Sequence, residues 1–321
     1  MIDNATYPPD SPRHLLPAAA CVGNTALVKS LLQGQDVHCN QASNFFGAPL
    51  HLAALNGHTD IVELLLKKGP DPNLVISRTG QYMHMDDLEI YPITPLQAAA
   101  LVTNTHYCFA ILNAIKGGHP GVVDYLLDCR DLTSIPRDSL DRFWYRALRI
   151  ACINGSVDMV QMLLDKGVSV TQLDGPPLES PLTLAAGLGY NQIITLLLQN
   201  GADPNQSSTI RDRTTIITSP IKKAAKYGHI QSFQTLMGCC KPTYRPEMVI
   251  YQAAMSGQEH ALRYLAETDI WPTLCLTETM AQVAETTIGY GTINGFTWMK
   301  SVLIDLGLCE PQSVDSRNAR N

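Results

Sequence analysis

One short segment recurs down this chain, and its recurrence restricts the fold more than any other feature. Ala48-Pro49-Leu50-His51-Leu52-Ala53-Ala54-Leu55-Asn56-Gly57-His58 is followed by Ile61-Val62-Glu63-Leu64-Leu65-Leu66 and then by Gly69-Pro70-Asp71-Pro72-Asn73. The pattern returns as Ser180-Pro181-Leu182-Thr183-Leu184-Ala185-Ala186, with Leu196-Leu197-Leu198 and Gly201-Ala202-Asp203-Pro204-Asn205 behind it. A unit this short cannot bury its apolar face alone, so copies must stack. Pro fits the first position of a helix, where its missing N–H has no partner to lose, and a preceding Ser or Thr can cap the free N–H groups. Thr94-Pro95, Ser180-Pro181 and Ser219-Pro220 read as such starts, whereas Ala48-Pro49 keeps the proline without the cap. The paired alanines at 53–54, 185–186, 224–225 and 253–254 are small enough for helices to pack closely. Gly57, Gly155, Gly189, Gly228 and Gly257 stand where a first helix ends in a left-handed residue. The leucine triplets supply the buried face of a second helix, and the Gly-x-Asp-x-Asn tail turns the chain towards the next unit.

These residues resemble the ankyrin repeat. Aligning the alanine pair and the glycine gives seven matches, beginning near Leu15, Ala48, Thr94, Ala147, Ser180, Ser219 and Met248, and a degenerate eighth from about Met280 to Gly307. The resemblance, to a divergent member of fungal type, implies an all-α fold: a solenoid of about seven to eight helix–turn–helix units with short β-hairpins. A single array over 15–309 is expected between polar tails at 1–14 and 310–321, with insertions at 74–93, 101–116 and 206–218.

Function is sought where the repeat breaks. Residues 74–93 place apolar and aromatic flanks around Thr79-Gly80, which predicts a projecting hairpin. In the third unit no glycine follows Ala98-Ala99-Ala100, and Leu96 to Lys116 contains no Pro or Gly, which predicts one lengthened helix over 94–116. Residues 206–218, with Arg211-Asp212-Arg213 among β-branched residues, predict a second long hairpin, and 290–295 a loop.

Composition narrows the function classes. The 321 residues carry a net charge of −6 with only 16% charged side chains, and no basic stripe or polybasic run is present, which argues against a nucleic-acid partner. No apolar run approaches the ~20 residues of a membrane span, and Met1 to Thr6 lacks the basic start of a signal peptide. The nine cysteines are odd in number and lack CxxC spacing, so reduced thiols in the cytoplasm, or the nucleus, are expected. Cys152 falls at a core alanine position; Cys239-Cys240 could face a soft metal, but nothing beside them completes a site, and no metal or cofactor is expected.

No nucleophile elbow, phosphate loop, zinc-helix motif or dinucleotide fingerprint is present, so nothing positive points to an enzyme. Among the nine histidines, His51, His58, His119 and His229 hold repeat positions, where the resemblance implies backbone hydrogen bonds between units; His14, His38 and His260 are isolated. His84 and His106 lie in the two main departures, near Tyr82, Asp86, Asp87, Glu89, Tyr91 and Tyr107, and could titrate near neutrality as an acid or base.

In ankyrin proteins the two residues before the corner glycine commonly face the concave surface. Here they are Cys21-Val22, Leu55-Asn56, Ile153-Asn154, Gly187-Leu188, Lys226-Tyr227 and Met255-Ser256, with Lys226 the only charged one. With Tyr82, His84, Leu101 and His106 from the insertions, Leu55, Asn56, Ile153, Asn154, Leu188, Lys226, Tyr227 and Met255 are the candidate binding residues. Two readings remain open. One is a monomeric, non-enzymatic scaffold that binds a protein through its concave face and hairpin tips. The other is a small-molecule binding protein or enzyme whose groove is closed into a pocket by 74–93 and the long 94–116 helix.

Overall fold

A computed structural model describes residues 12–34, 37–39, 48–69, 105–128, 137–171, 179–206, 208–212, 214–239, 246–267, 289 and 298–305. It divides into two compact units, Met1–Asp174 and Gly175–Asn321. Among the described residues the first holds four helix pairs: α1 (Pro12–Val22) and α2 (Thr25–Gln33), α3 (Pro49–Leu55) and α4 (Thr59–Lys67), α5 (Thr105–Gly117) and α6 (Pro120–Asp128), α7 (Arg137–Asn154) and α8 (Val157–Asp165). The second holds α9 (Pro181–Leu188) and α10 (Asn191–Gln199), the hairpin β1 (Ser208–Asp212) and β2 (Thr214–Thr218), α11 (Pro220–Tyr227) and α12 (Ile230–Cys239), α13 (Pro246–Met255) and α14 (Glu259–Glu267), and α15 (Met299–Asp305). Within each unit, first helices pack on first helices and second helices on second helices, as α3 does on α5 and α10 on α12.

The small residues set this spacing. Ala19, Ala53, Ala114, Ala151, Ala185, Ala224 and Ala253 are fully buried or nearly so. Each also accepts, through its carbonyl, the N–H of the residue just past the corner glycine; His58 N to Ala53 O (2.9 Å) and His229 N to Ala224 O (3.0 Å) are examples. The third unit therefore takes its register from Ala114 and not from Ala98-Ala99, because His119 N bonds Ala114 O at 2.9 Å. The described part of its helix is 13 residues long, and residues 94–104 lie outside the described residues.

Among the described residues the longest first helix belongs to the fourth unit. α7 spans 18 residues and begins ten residues before the expected start at Ala147. Nothing between Arg137 and Asn154 is Pro or Gly, and Pro136 stands directly before it, so the helix extends back to the nearest breaker. Phe143 and Tyr145 are buried on the added turns, and Trp144 meets Phe143 edge-on at 4.9 Å.

Other expectations resolve in detail. Ser180 caps α9, its Oγ accepting the Thr183 N–H at 3.2 Å. Ser219 makes no such bond: it continues the extended backbone of β2 (φ −132°, ψ 160°), and its hydroxyl does not turn onto the helix. The leucine triplets bury only their middle member. Leu65 and Leu197 are fully buried beside Ile61-Val62 and Ile193-Ile194, while Leu64, Leu66, Leu196 and Leu198 are half-buried, since successive helical residues point ~100° apart. In the tail, Asp203 Oδ1 accepts the Asn205 N–H at 2.9 Å and closes the turn. The expected hairpin at 206–218 is present as an antiparallel pair, from Ser208 opposite Thr218 to Asp212 opposite Thr214. The expected hairpin at 74–93 and the loop at 290–295 lie outside the described residues.

Candidate interaction surface

The ends of the first helices are built by a repeated contact between neighbouring units. Each corner glycine has a positive φ: Gly23, Gly57, Gly118, Gly155, Gly189, Gly228 and Gly257. At Gly23, Gly57, Gly189 and Gly228 the next repeat's corner side chain, His58, His119, His229 or Gln258, folds over it. His58 Nε2 lies 3.1 Å from Cys21 O, His119 Nε2 3.0 Å from Leu55 O, and His229 Nε2 3.0 Å from Gly187 O. Three of the four repeat histidines thus make the backbone ties implied by the resemblance. The fourth, His51, is buried with its ring 5.9 Å from that of Phe109.

One corner without histidine uses an amide. The fourth unit has Ser156 at the corner, and Asn154 makes the tie, its Nδ2 donating to Ile115 O (3.2 Å) and Lys116 O (2.8 Å). Asn56 donates to Leu52 O (2.9 Å) and to Cys21 Sγ (3.7 Å). These two candidate binding residues therefore spend their amides within the chain. Asn154→Ala should destabilise the first compact unit by about 1–3 kcal/mol, two hydrogen bonds at roughly 0.5–1.5 each; urea unfolding of the variant measures it, and an unchanged midpoint would refute the tie.

The apolar candidates remain available. Val22 (74%), Ile153 (47%), Leu188 (43%) and Tyr227 (49%) are exposed large hydrophobics, each one or two residues before a corner glycine. Lys226 is exposed, with its ammonium 5.4 Å from the Tyr227 ring centroid; Leu55 and Met255 are half-buried. Val22, Leu55 and Ile153 belong to the first unit, and Leu188, Lys226, Tyr227 and Met255 to the second. His106 lies in the first turn of α5. Tyr82, His84 and Leu101 lie outside the described residues.

Sequence reasoning missed a groove of about 420 Å³ between α6 and α8, lined by Asp124, Asp158, Gln161, Met162, Asp165 and Lys166. Lys166 pairs with Asp124 across it at 2.9 Å, and Gln161 donates to Asp165 at 2.7 Å. These are scattered polar positions on second helices, and no local motif marks them. Among the described residues no group of three or more His, Cys, Asp or Glu is arranged for a metal ion.

Among the described residues electrostatic perturbation concentrates on α7. Burial pushes the Cys152 thiol up to about 12, against the pull of the Arg149 charge. Burial likewise raises Tyr145 to about 12, again opposed by Arg149. Burial lowers the pKa of Arg146, and the like charge of Arg149 adds to it. Cys152 is thus an inert core thiol in an alanine position, in keeping with its place in the repeat. A group held neutral by folding contributes stability below its unfolded pKa, near 9 for this thiol, and loses it as pH rises towards 12. Stability should fall above pH ~9 by up to about 1.4 kcal/mol per pH unit from this thiol. In Cys152→Ala the onset should move to the tyrosine range near 10; an unmoved onset in pH-dependent urea melts would contradict the burial.

The family model for ankyrin repeats matches residues 15–101 and 111–208, more than half of the chain. The chain belongs to the ankyrin repeat family. It is 30% identical over 218 residues to the ankyrin repeat and KH domain-containing protein mask-1 of Caenorhabditis elegans, a match covering 67% of this chain and 7% of that protein. It is 26% identical over 271 residues to the ankyrin repeat protein nuc-2 of Neurospora crassa, covering 83% of this chain and 22% of that protein. The chain thus matches less than a quarter of the length of either relative. The crystal structure of the ankyrin repeat domain of Bcl-3 aligns with a TM-score of 0.49 at 22% identity, covering 73% of this chain and 92% of that one. Ankyrin repeats are generally protein-interaction scaffolds and typically non-enzymatic. Among the described residues no helix is long and apolar enough to cross a membrane.

Proposed function

We propose that this chain is a non-enzymatic ankyrin scaffold that binds a protein partner through the ends of its first helices and the neighbouring hairpin. One observation carries the reading. Among the described residues six large hydrophobic side chains are exposed, and four of them (Val22, Ile153, Leu188 and Tyr227) stand at first-helix ends, one or two residues before the corner glycine. Exposed apolar side chains recurring at the first-helix ends within each compact unit suit a protein partner. The half-exposed Tyr227 ring is the strongest anchor, because buried aromatic residues dominate interface energies. The buried thiols Cys108 and Cys152 accord with a reducing compartment, and we place the protein in the cytoplasm or nucleus, as a monomer.

Proteins captured from native extract by the intact chain test the reading. Tyr227→Ala should weaken binding of a captured partner at least tenfold, about 1.4 kcal/mol, with the fold retained. His260→Ala, at an exposed position on α14, should leave it unchanged. Equal effects at the two positions would place recognition elsewhere. The alternative of a small-molecule pocket closed by 74–93 depends on residues outside those described, and no described feature favours it.

A further inference from the structure

Within the second unit the exposed edge carries a particular chemistry. α11, Pro-Ile-Lys-Lys-Ala-Ala-Lys-Tyr, has three lysines and no acid. Lys223 is committed, paired with Glu179 at 2.5 Å. Lys226 is not: its ammonium stands over the Tyr227 ring, and among the described residues no carboxylate comes within 4.0 Å of it. On the adjacent helix α13 the sole acid, Glu247, precedes Met255 by eight residues, about 12 Å along the axis. In a chain of net charge −6, this edge is locally positive.

The platform is also held in place. Gly187 has no side chain, so the Lys223 stem and the Tyr227 ring can lie against α9; a Cβ there would come within 2.9 Å of Lys223 Cδ and 3.8 Å of Tyr227 Cδ2. His229, anchored to the Gly187 carbonyl, sits 6.4 Å from the Tyr227 ring. A ring so backed loses little freedom on binding. Leu188, next in sequence to Gly187, offers an exposed apolar contact.

We infer that this edge takes a peptide segment of a partner protein in which a carboxylate stands beside an aromatic or branched aliphatic side chain. The carboxylate meets Lys226, and the apolar side chain lies on Tyr227 and Leu188. The inference rests on the scaffold reading above. A nucleic acid could also stack on tyrosine and meet lysine, but it needs several cations along its backbone, and the acidic chain repels it.

The test is to pan random dodecapeptides displayed on phage against the full chain, and to synthesise the enriched consensus. Enriched sequences should carry Asp or Glu within two residues of Phe, Tyr, Leu, Ile or Val. The consensus peptide should bind at least tenfold more weakly to Tyr227→Ala and to Lys226→Glu, and Tyr227→Phe should keep most of its affinity. Thermal melts of the variants should match the parent. Enriched peptides that need Tyr227 but show no acidic bias, or that ignore Lys226→Glu, would overturn the carboxylate inference and leave the scaffold reading standing. Peptides that bind Tyr227→Ala equally well would overturn both at this edge. No enrichment, or displacement of the consensus peptide by oligothymidylate, would overturn the peptide inference alone.

Discussion

Leu197→Ala should lower the unfolding free energy by about 2–5 kcal/mol, the range for emptying a buried leucine site. Leu197 is fully inaccessible, with Ile193 and Ile194 on the same face, and its helix α10 packs on both α9 and α12. Neither neighbour can collapse into the void without losing its own contacts, so the upper half of the range applies. Leu196→Ala and Leu198→Ala remove side chains that are half-exposed and should cost clearly less. Ala185→Leu probes the same unit from the opposite direction. Ala185 is fully buried where first helices meet, and added methylenes there should overpack the contact by about 1–3 kcal/mol. Urea unfolding at constant m reads all four variants. Equal costs along the triplet would show that the second helix is rotated from the face described.

The residues that could be read in the sequence are those whose role is local. A left-handed turn at Gly57 or Gly189, the cap at Ser180 and the Asx turn at Asp203 each need only a few neighbouring residues, and each appears where expected. Registers that depend on a missing signal were harder. The third unit has Ala114-Ile115 where others have an alanine pair, so the run Ala98-Ala99-Ala100 suggests a register earlier in the chain than the one His119 takes from Ala114. The fourth unit's long helix was hidden because only its last two turns match the repeat, and the ten residues before them carry no capping signature. The binding edge was legible as positions but not as roles. Ile153 and Asn154 are adjacent in sequence, yet the isoleucine is exposed while the amide bonds two carbonyls of the preceding repeat, a division that depends on contacts distant in sequence. The Lys226–Tyr227 stack depends on what faces it from the next helix over, at Gly187, and sequence separation conceals that.

Gly189→Ala is expected to cost about 2–3 kcal/mol, more than its backbone conformation alone explains. Its φ of 77° would place an alanine in the left-handed region, at about 1–2 kcal/mol. The new Cβ would also fall 2.6 Å from Nδ1 and 2.9 Å from Cγ of His229, a ring that cannot yield without giving up its bond to the Gly187 carbonyl, worth about 1 kcal/mol. Gly201→Ala separates the two contributions: φ is 87° there, but a Cβ would meet nothing within 4 Å, so only the backbone cost should appear. The double variant Gly189→Ala/His229→Ala supplies the other half of the argument. Once the alanine has displaced the ring, deleting the ring removes little more, so the double variant should be more stable than the two single losses predict, by at least about 0.5 kcal/mol. Strict additivity would mean that the corner glycine and the next unit's histidine act independently. The tie between repeats would then rest on the alanine contacts and not on this interlock.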